Sequence, residues 1–145
     1  VRTICTSCKE TVESDPEVLS VLPAHMSLGT LAGDDGHMWD AMSQDLQQTQ
    51  IGRGCPRCFN TGFRGRCTIA EILRINEPIR NLILDRASHA EMQASAVASN
   101  MVTIFDDGLA KVKEGVTTIE EVLSATDTTE KVAFELMDGV GDEVI

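Results

Sequence analysis

The sequence has no apolar run approaching the roughly 20 residues needed to span a bilayer, so none of its 145 residues builds a spanning helix of that kind. Its first residues, VRTICTSC, lack a basic stretch followed by an apolar one, so no secretory signal is read there. There is no initiator Met either, and we expect a piece of a longer chain. Positive charge is scarce: 12 Lys and Arg face 23 Asp and Glu, giving a net charge of -11. That balance opposes general electrostatic attachment to nucleic acid or anionic lipid. No lysine follows a glycine, which removes the Gly-Lys-Ser/Thr of a phosphate-binding loop, and HExxH is absent. No internal repeat or low-complexity tract is visible.

Against this acidic background, Ile51–Arg66 carries Arg53, Arg57, Arg64 and Arg66 and no acid, whereas Asp127–Ile145 has six acids and only Lys131. The five cysteines are Cys5, Cys8, Cys55, Cys58 and Cys67. An odd number containing two CxxC pairs fits a reducing compartment and metal ligation better than a disulfide framework. Each CxxC turn aims two thiolates at one ion, and two such turns supply the four ligands of a tetrahedral structural zinc. The predicted ligands are therefore Cys5, Cys8, Cys55 and Cys58. The 46 residues between the pairs exceed a compact zinc ribbon, but loop-closure entropy grows only logarithmically with length. The alternatives are separate reduced cysteines in a core and a redox CxxC, which lacks its βαβ surroundings. Cys67 has no partner spacing and reads as a small apolar residue.

Four thiolates around zinc leave a formal charge of about −2, which the four arginines can offset while binding nearby acids from the rest of the chain. A zinc knuckle gripping nucleic acid or unfolded polypeptide is the rival reading. The overall acidity and the shortage of aromatics beyond Phe59 and Phe63 weigh against it, so no nucleic-acid partner is expected. Gly54, Gly62 and Gly65 read as turn glycines. His25, His37 and His89 are isolated; His89-Ala90-Glu91 matches half of a zinc-deaminase signature, but CPRC lies on the wrong side of it. Asp106-Asp107 reads as first-turn charge against a helix dipole. No catalytic residue is assigned.

Along the chain, VRTIC suggests a strand. Ser14-Asp15-Pro16-Glu17 opens a helix, with Ser14 as cap, through Val18, Leu19 and Leu22 to about Pro23. Leu28–Gly36 reads as a loop and His37–Gln48 as a second helix. Cys67–Ile75 alternates and is rich in branched residues, predicting a strand. Asn76-Glu77-Pro78 starts a helix through Ile79, Leu82 and Ile83. Ser88 and Glu91 make a capping box, and Asn100 ends that helix in the left-handed conformation. Thr103 caps a helix whose Phe105, Leu109 and Val112 share a face and which Gly115 stops. Thr117 and Thr118 introduce Ile119–Leu123. The tail past Thr126 reads as acidic and mobile.

In order, these features resemble the C-terminal end of the type II secretion and type IV pilus-assembly ATPases. That family carries two CxxC pairs and then a block close to TGYxGRxxIxEhL, with h apolar, which here reads Thr61–Leu73, TGFRGRCTIAEIL. Asn100-Met101-Val102-Thr103-Ile104 stands where the family has Gly-Met-x-Thr-hydrophobic. Asp107-Gly108-Leu109 and Gly115–Leu123, GVTTIEEVL, follow in the family's order. The resemblance implies an α+β, mainly helical fold: a tetracysteine zinc subdomain with a short β element and a helical insertion over 1–66, then a helical bundle with a leading strand over 67–126. The acidic tail, 127–145, has no family counterpart. It implies a structural zinc, with ATP and magnesium bound only by an upstream core of the parent protein. The implied partners are neighbouring subunits of a hexameric ATPase and inner-membrane platform proteins of the secretion or pilus system. The implied location is cytoplasmic, peripheral to the inner membrane without insertion into it.

Overall fold

The computed structural model describes residues 1–25 and 44–126. Two small antiparallel sheets occupy the first half. Strand β1, Arg2–Ile4, pairs with β4, Phe63–Arg66, with Arg2 opposite Arg66, Ile4 opposite Phe63 and an irregularity between them. Strand β2, Lys9–Glu13, pairs with β3, Gln48–Gly52, in unbroken register from Lys9 opposite Gly52 to Glu13 opposite Gln48. Helix α1, Pro16–His25, follows β2. The expected loop over Leu28–Gly36 and the acidic tail lie outside the described residues. So does most of the helix expected over His37–Gln48, whose last residue instead opens β3.

Helices α2, Glu77–Leu84, α3, His89–Ala98, α4, Ile104–Lys113, and α5, Ile119–Thr126, make up the second half. Their starts follow local hydrogen-bonding logic, because the first turn of a helix leaves amides without partners. Asn76 Oδ1 accepts from Ile79 N at 3.0 Å. Ser88 and Glu91 form the reciprocal box, and Thr103 Oγ1 accepts from Asp106 N at 3.2 Å. Asn100 takes φ 62° after α3. At α1 the cap is Asp15, whose Oδ1 accepts from Glu17 N at 2.8 Å. Ser14, the expected cap, is drawn away, since its hydroxyl donates to Leu46 O at 2.5 Å beside Thr49.

The main apolar cluster joins the two halves: Leu22 and Leu46 pack with Phe105, Leu109, Val112, Ile119 and Val122. Helices α4 and α5 cross closely because Gly108 has no side chain; a Cβ there would sit 2.5 Å from Val122 Cγ1. The described chain is thus mixed, with five α-helices and two two-stranded sheets. None of its helices is long and apolar enough to cross a membrane.

The strand predicted over Cys67–Ile75 does not form. The composition suits a strand, but a strand needs a neighbour for its amides, and no strand among the described residues lies beside it. Cys67 extends the β1–β4 ladder, its N donating to Val1 O at 3.0 Å and its O accepting from Val1 N at 3.1 Å. Beyond it the segment is pinned by Ala70 N donating to Asp107 Oδ2 at 2.9 Å and by Glu71 Oε2 accepting from Ile104 N at 3.2 Å.

Asp107 has a second partner, Lys111 Nζ at 2.6 Å one turn along α4. The Lys111 hydrogen bond, then the Ala70 amide, hold its carboxyl below the usual aspartate range. A depressed folded pKa stabilises the fold above the unfolded value, and that contribution fades as pH falls through the folded one. Asp107→Asn is therefore expected to lose about 1 kcal/mol at neutral pH, as a partly buried, charge-assisted contact should. Its urea midpoint should converge on the parent's as pH drops below the ordinary carboxylate range. A gap that persists there would show that the charge is not responsible.

Candidate metal centre

The first CxxC turn lies between β1 and β2. Cys5 follows Ile4 directly, and Cys8 N donates to Cys5 O at 3.2 Å to close the turn. The second surrounds a single 3-10 turn, Pro56–Cys58, where Cys58 N and Asn60 N both donate to Cys55 O, at 3.1 and 2.9 Å. Phe59 and Asn60 then adopt φ 52° and 61°, reversing the chain. Two backbone bonds hold the turns face to face: Arg53 N to Cys8 O at 3.0 Å and Cys5 N to Gly62 O at 2.8 Å.

These turns bring together the four predicted cysteines. Sγ–Sγ separations are 3.9 Å for Cys5–Cys55, 3.8 Å for Cys8–Cys58 and 3.7 Å for Cys55–Cys58. All four sulfurs lie within 4.8 Å of one another, and all four are free thiols. Sulfurs at the corners of a tetrahedron 2.3 Å from a central zinc would be about 3.8 Å apart. A disulfide needs about 2.05 Å. The donor set and its spacing therefore suit one tetrahedral, thiophilic metal ion. Cys5 and Cys58 are almost fully buried, so two thiolates are shielded from water.

Backbone amides surround the sulfurs. Cys55 N donates to Cys58 Sγ at 3.2 Å. Burial raises the Cys58 pKa, but the amides of Cys55 and Gly62 and the neighbouring thiols outweigh it and lower the value to about 6. Burial is also the largest influence on Cys8; with the other thiols it outweighs the Gly54 amide and lifts the value to about 12. The group thus favours some thiolate character, and a cation would have to displace the remaining protons.

The glycines beside the site are steric necessities. Gly52 and Gly62 face each other so closely that a Cβ on Gly52 would lie 2.0 Å from Gly62 O, and one on Gly62 would lie 2.3 Å from Gly52 O. Gly62 also has φ 78° and Gly54 φ 94°. Gly54 and Gly62 are legible in the sequence as turn residues; the Gly52 contact is not, because it spans ten residues.

Of the four arginines, one binds an acid from elsewhere in the chain as expected, and none hydrogen-bonds a sulfur among the described residues. Arg53 pairs with Glu10 at the surface, Arg57 Nη1 donates to Ser7 Oγ at 3.3 Å, and Arg64 and Arg66 are exposed. No hydrogen bond from any of the four to a cysteine sulfur is found among the described residues, so the backbone amides carry that role. Cys67 stands apart from the cluster. His89 is exposed at the start of α3; His37 lies outside the described residues.

Comparison with known proteins follows the same lines. Residues 1–124 match the family model described as Type II/IV secretion system protein. The chain is 34% identical over 128 residues to the type IV pilus assembly ATPase PilB of Thermus thermophilus, which covers 87% of this chain and 12% of that protein. It is 31% identical over 126 residues to the type II secretion system ATPase E of Vibrio cholerae, covering 87% of this chain and 22% of that protein. It is 36% identical over 126 residues to the type II secretion system protein E of Pseudomonas aeruginosa, with the same coverage. The chain thus spans between 12% and 22% of the length of these relatives.

Proposed function

Because the chain belongs to the Type II/IV secretion system protein family, we propose that it is a non-catalytic, zinc-stabilised portion of an ATPase that powers protein export or pilus assembly. The observation that carries this reading is the gathering of the Cys5, Cys8, Cys55 and Cys58 sulfurs within 4.8 Å of one another. Zinc bound by four thiolates supplies a crosslink and leaves no position for a reacting water. The residues around it serve to hold the site: the Gly54, Cys55 and Gly62 amides stabilise sulfur charge, and the Gly52–Gly62 contact lets the two turns meet. ATP and magnesium belong to the rest of the parent protein, at the cytoplasmic side of the inner membrane.

Docking to the rest of that machine, and to its neighbouring subunits and platform proteins, suits the extended segment after β4. Ile72, Leu73 and Ile75 are exposed there, as are Ile83 and Leu84 on α2 and Val102 beside α4. Apolar side chains concentrated in this way mark a surface built for a partner. A groove of about 650 Å³ runs between this segment and Met101–Val102.

The test is zinc content measured together with ATP turnover on the purified chain. One zinc per chain without ATP hydrolysis is expected. ATP hydrolysis by the chain alone would contradict the non-catalytic assignment, and a metal-free folded chain would contradict the structural one.

A further inference from the structure

The strand that leads into the first metal ligand is held on both edges. One edge of β1 pairs with β4; the other is occupied by the turn between α4 and α5 and by the first turn of α5. Thr117 Oγ1 donates to Arg2 O at 2.8 Å, Ile4 N donates to Val116 O at 2.9 Å, and Arg2 N donates to Glu121 Oε2 at 3.0 Å. The Arg2 guanidinium closes on Glu121 Oε1, with Nε at 2.9 Å. Thr117 is fully buried, so its hydroxyl has no water to exchange for that carbonyl. Ile4 and Cys5 follow at once, both nearly inaccessible, and Cys5 N is fixed to Gly62 O. Cys5 Sγ is therefore placed from two directions: by the Gly62 loop, which belongs to the thiol cluster, and by residues 116–121, which bond to β1.

From this geometry we infer that Thr117 and Glu121 are positioning residues for the metal site, coupling its occupancy to the α4–α5 pair. The inference rests on the zinc reading above. A ligand held 1 Å out of place weakens a closed tetrahedral site, and outer partners of metal ligands typically govern 10–100-fold in affinity. The coupling is reciprocal: whatever the clamp contributes to zinc affinity, zinc returns to the clamp.

The test is competition between the intact chain and a zinc chelator. Thr117→Val, which keeps the shape and removes the hydroxyl, and Glu121→Gln, at a partly exposed position, are each expected to weaken zinc binding about tenfold. Thr117→Ser should restore the parent affinity. Ile79→Ala opens a cavity under α2, outside the clamp and outside the apolar cluster of α4 and α5; it should lower the melting temperature and leave zinc affinity unchanged. Parental affinity in Thr117→Val and Glu121→Gln, or an equal loss in Ile79→Ala, would overturn the coupling while leaving the zinc site intact. A parent chain that takes up no zinc would overturn the zinc reading and the coupling with it.

Discussion

Cys55→Ser is expected to release the metal and dissolve the first half of the fold while the α4–α5 pair persists. Cys55 Sγ sits 3.9 Å from Cys5 and 3.7 Å from Cys58, so it bridges both CxxC turns. A serine hydroxyl is a far poorer zinc ligand at neutral pH, and three thiolates leave an open, labile site. The consequence for stability is large because, beyond Leu22 and Leu46 in the shared apolar cluster and the bonds from β1 to residues 116–121, this half has little core of its own. Among the residues of β1 to β4, the side chains that are buried are those of Ile4 and Thr49, and around them Cys5 and Cys58. Two strand pairs with so small a core do not fold unaided. Structural zinc contributes roughly 10–16 kcal/mol in finger peptides at neutral pH. Zinc should fall from one per chain to near zero, and amides of β1 to β4 should lose protection from hydrogen exchange. Those within α4 and α5 should keep most of theirs, because Phe105, Leu109, Val112, Ile119 and Val122 make up most of the shared cluster even without Leu22 and Leu46. A variant that retains its zinc and melts like the parent would refute this.

Gly62→Ala is expected to be nearly as damaging, though it removes no ligand. The new Cβ would lie 2.3 Å from the Gly52 carbonyl oxygen, and backbone cannot step aside as a flexible side chain can. The residue must also hold φ 78°, which alanine adopts only with strain. Gly62 O meanwhile accepts from Cys5 N, and its own amide supports the Cys58 sulfur. Backbone strain and a displaced site together place the expected loss at about 3–4 kcal/mol. Chemical denaturation of the zinc-loaded chain measures it. A loss below about 1 kcal/mol would mean that the two glycines are free to separate.

How much of this could be read from the residues differs by element, for physical reasons. Helix starts were legible because caps are local: Asn76, Ser88 with Glu91, and Thr103 each satisfy an amide three residues on. The thiol cluster was legible despite its sequence separation because CxxC fixes the local turn and zinc demands four donors. Strands β2 and β3 were not. Lys9–Glu13 and Gln48–Gly52 form a two-stranded ribbon with little burial on either face, so alternation leaves little apolar trace. At Cys67–Ile75 the composition spoke for a strand, but pairing depends on a neighbour that a sequence pattern does not supply. The Ser14 and Asp15 exchange at α1 shows the same limit: both residues can cap, and a tertiary bond to Leu46 O chose between them. The clamp on β1 lay beyond local reading because it joins residues 119 positions apart.

Zinc K-edge X-ray absorption on the purified chain tests the central claim most directly, because it reports ligand type, number and distance at once. Four sulfur scatterers at about 2.3 Å, with no nitrogen or oxygen in the first shell, are expected. A mixed shell containing oxygen or nitrogen, or fewer than four sulfurs, would contradict a closed tetracysteine site.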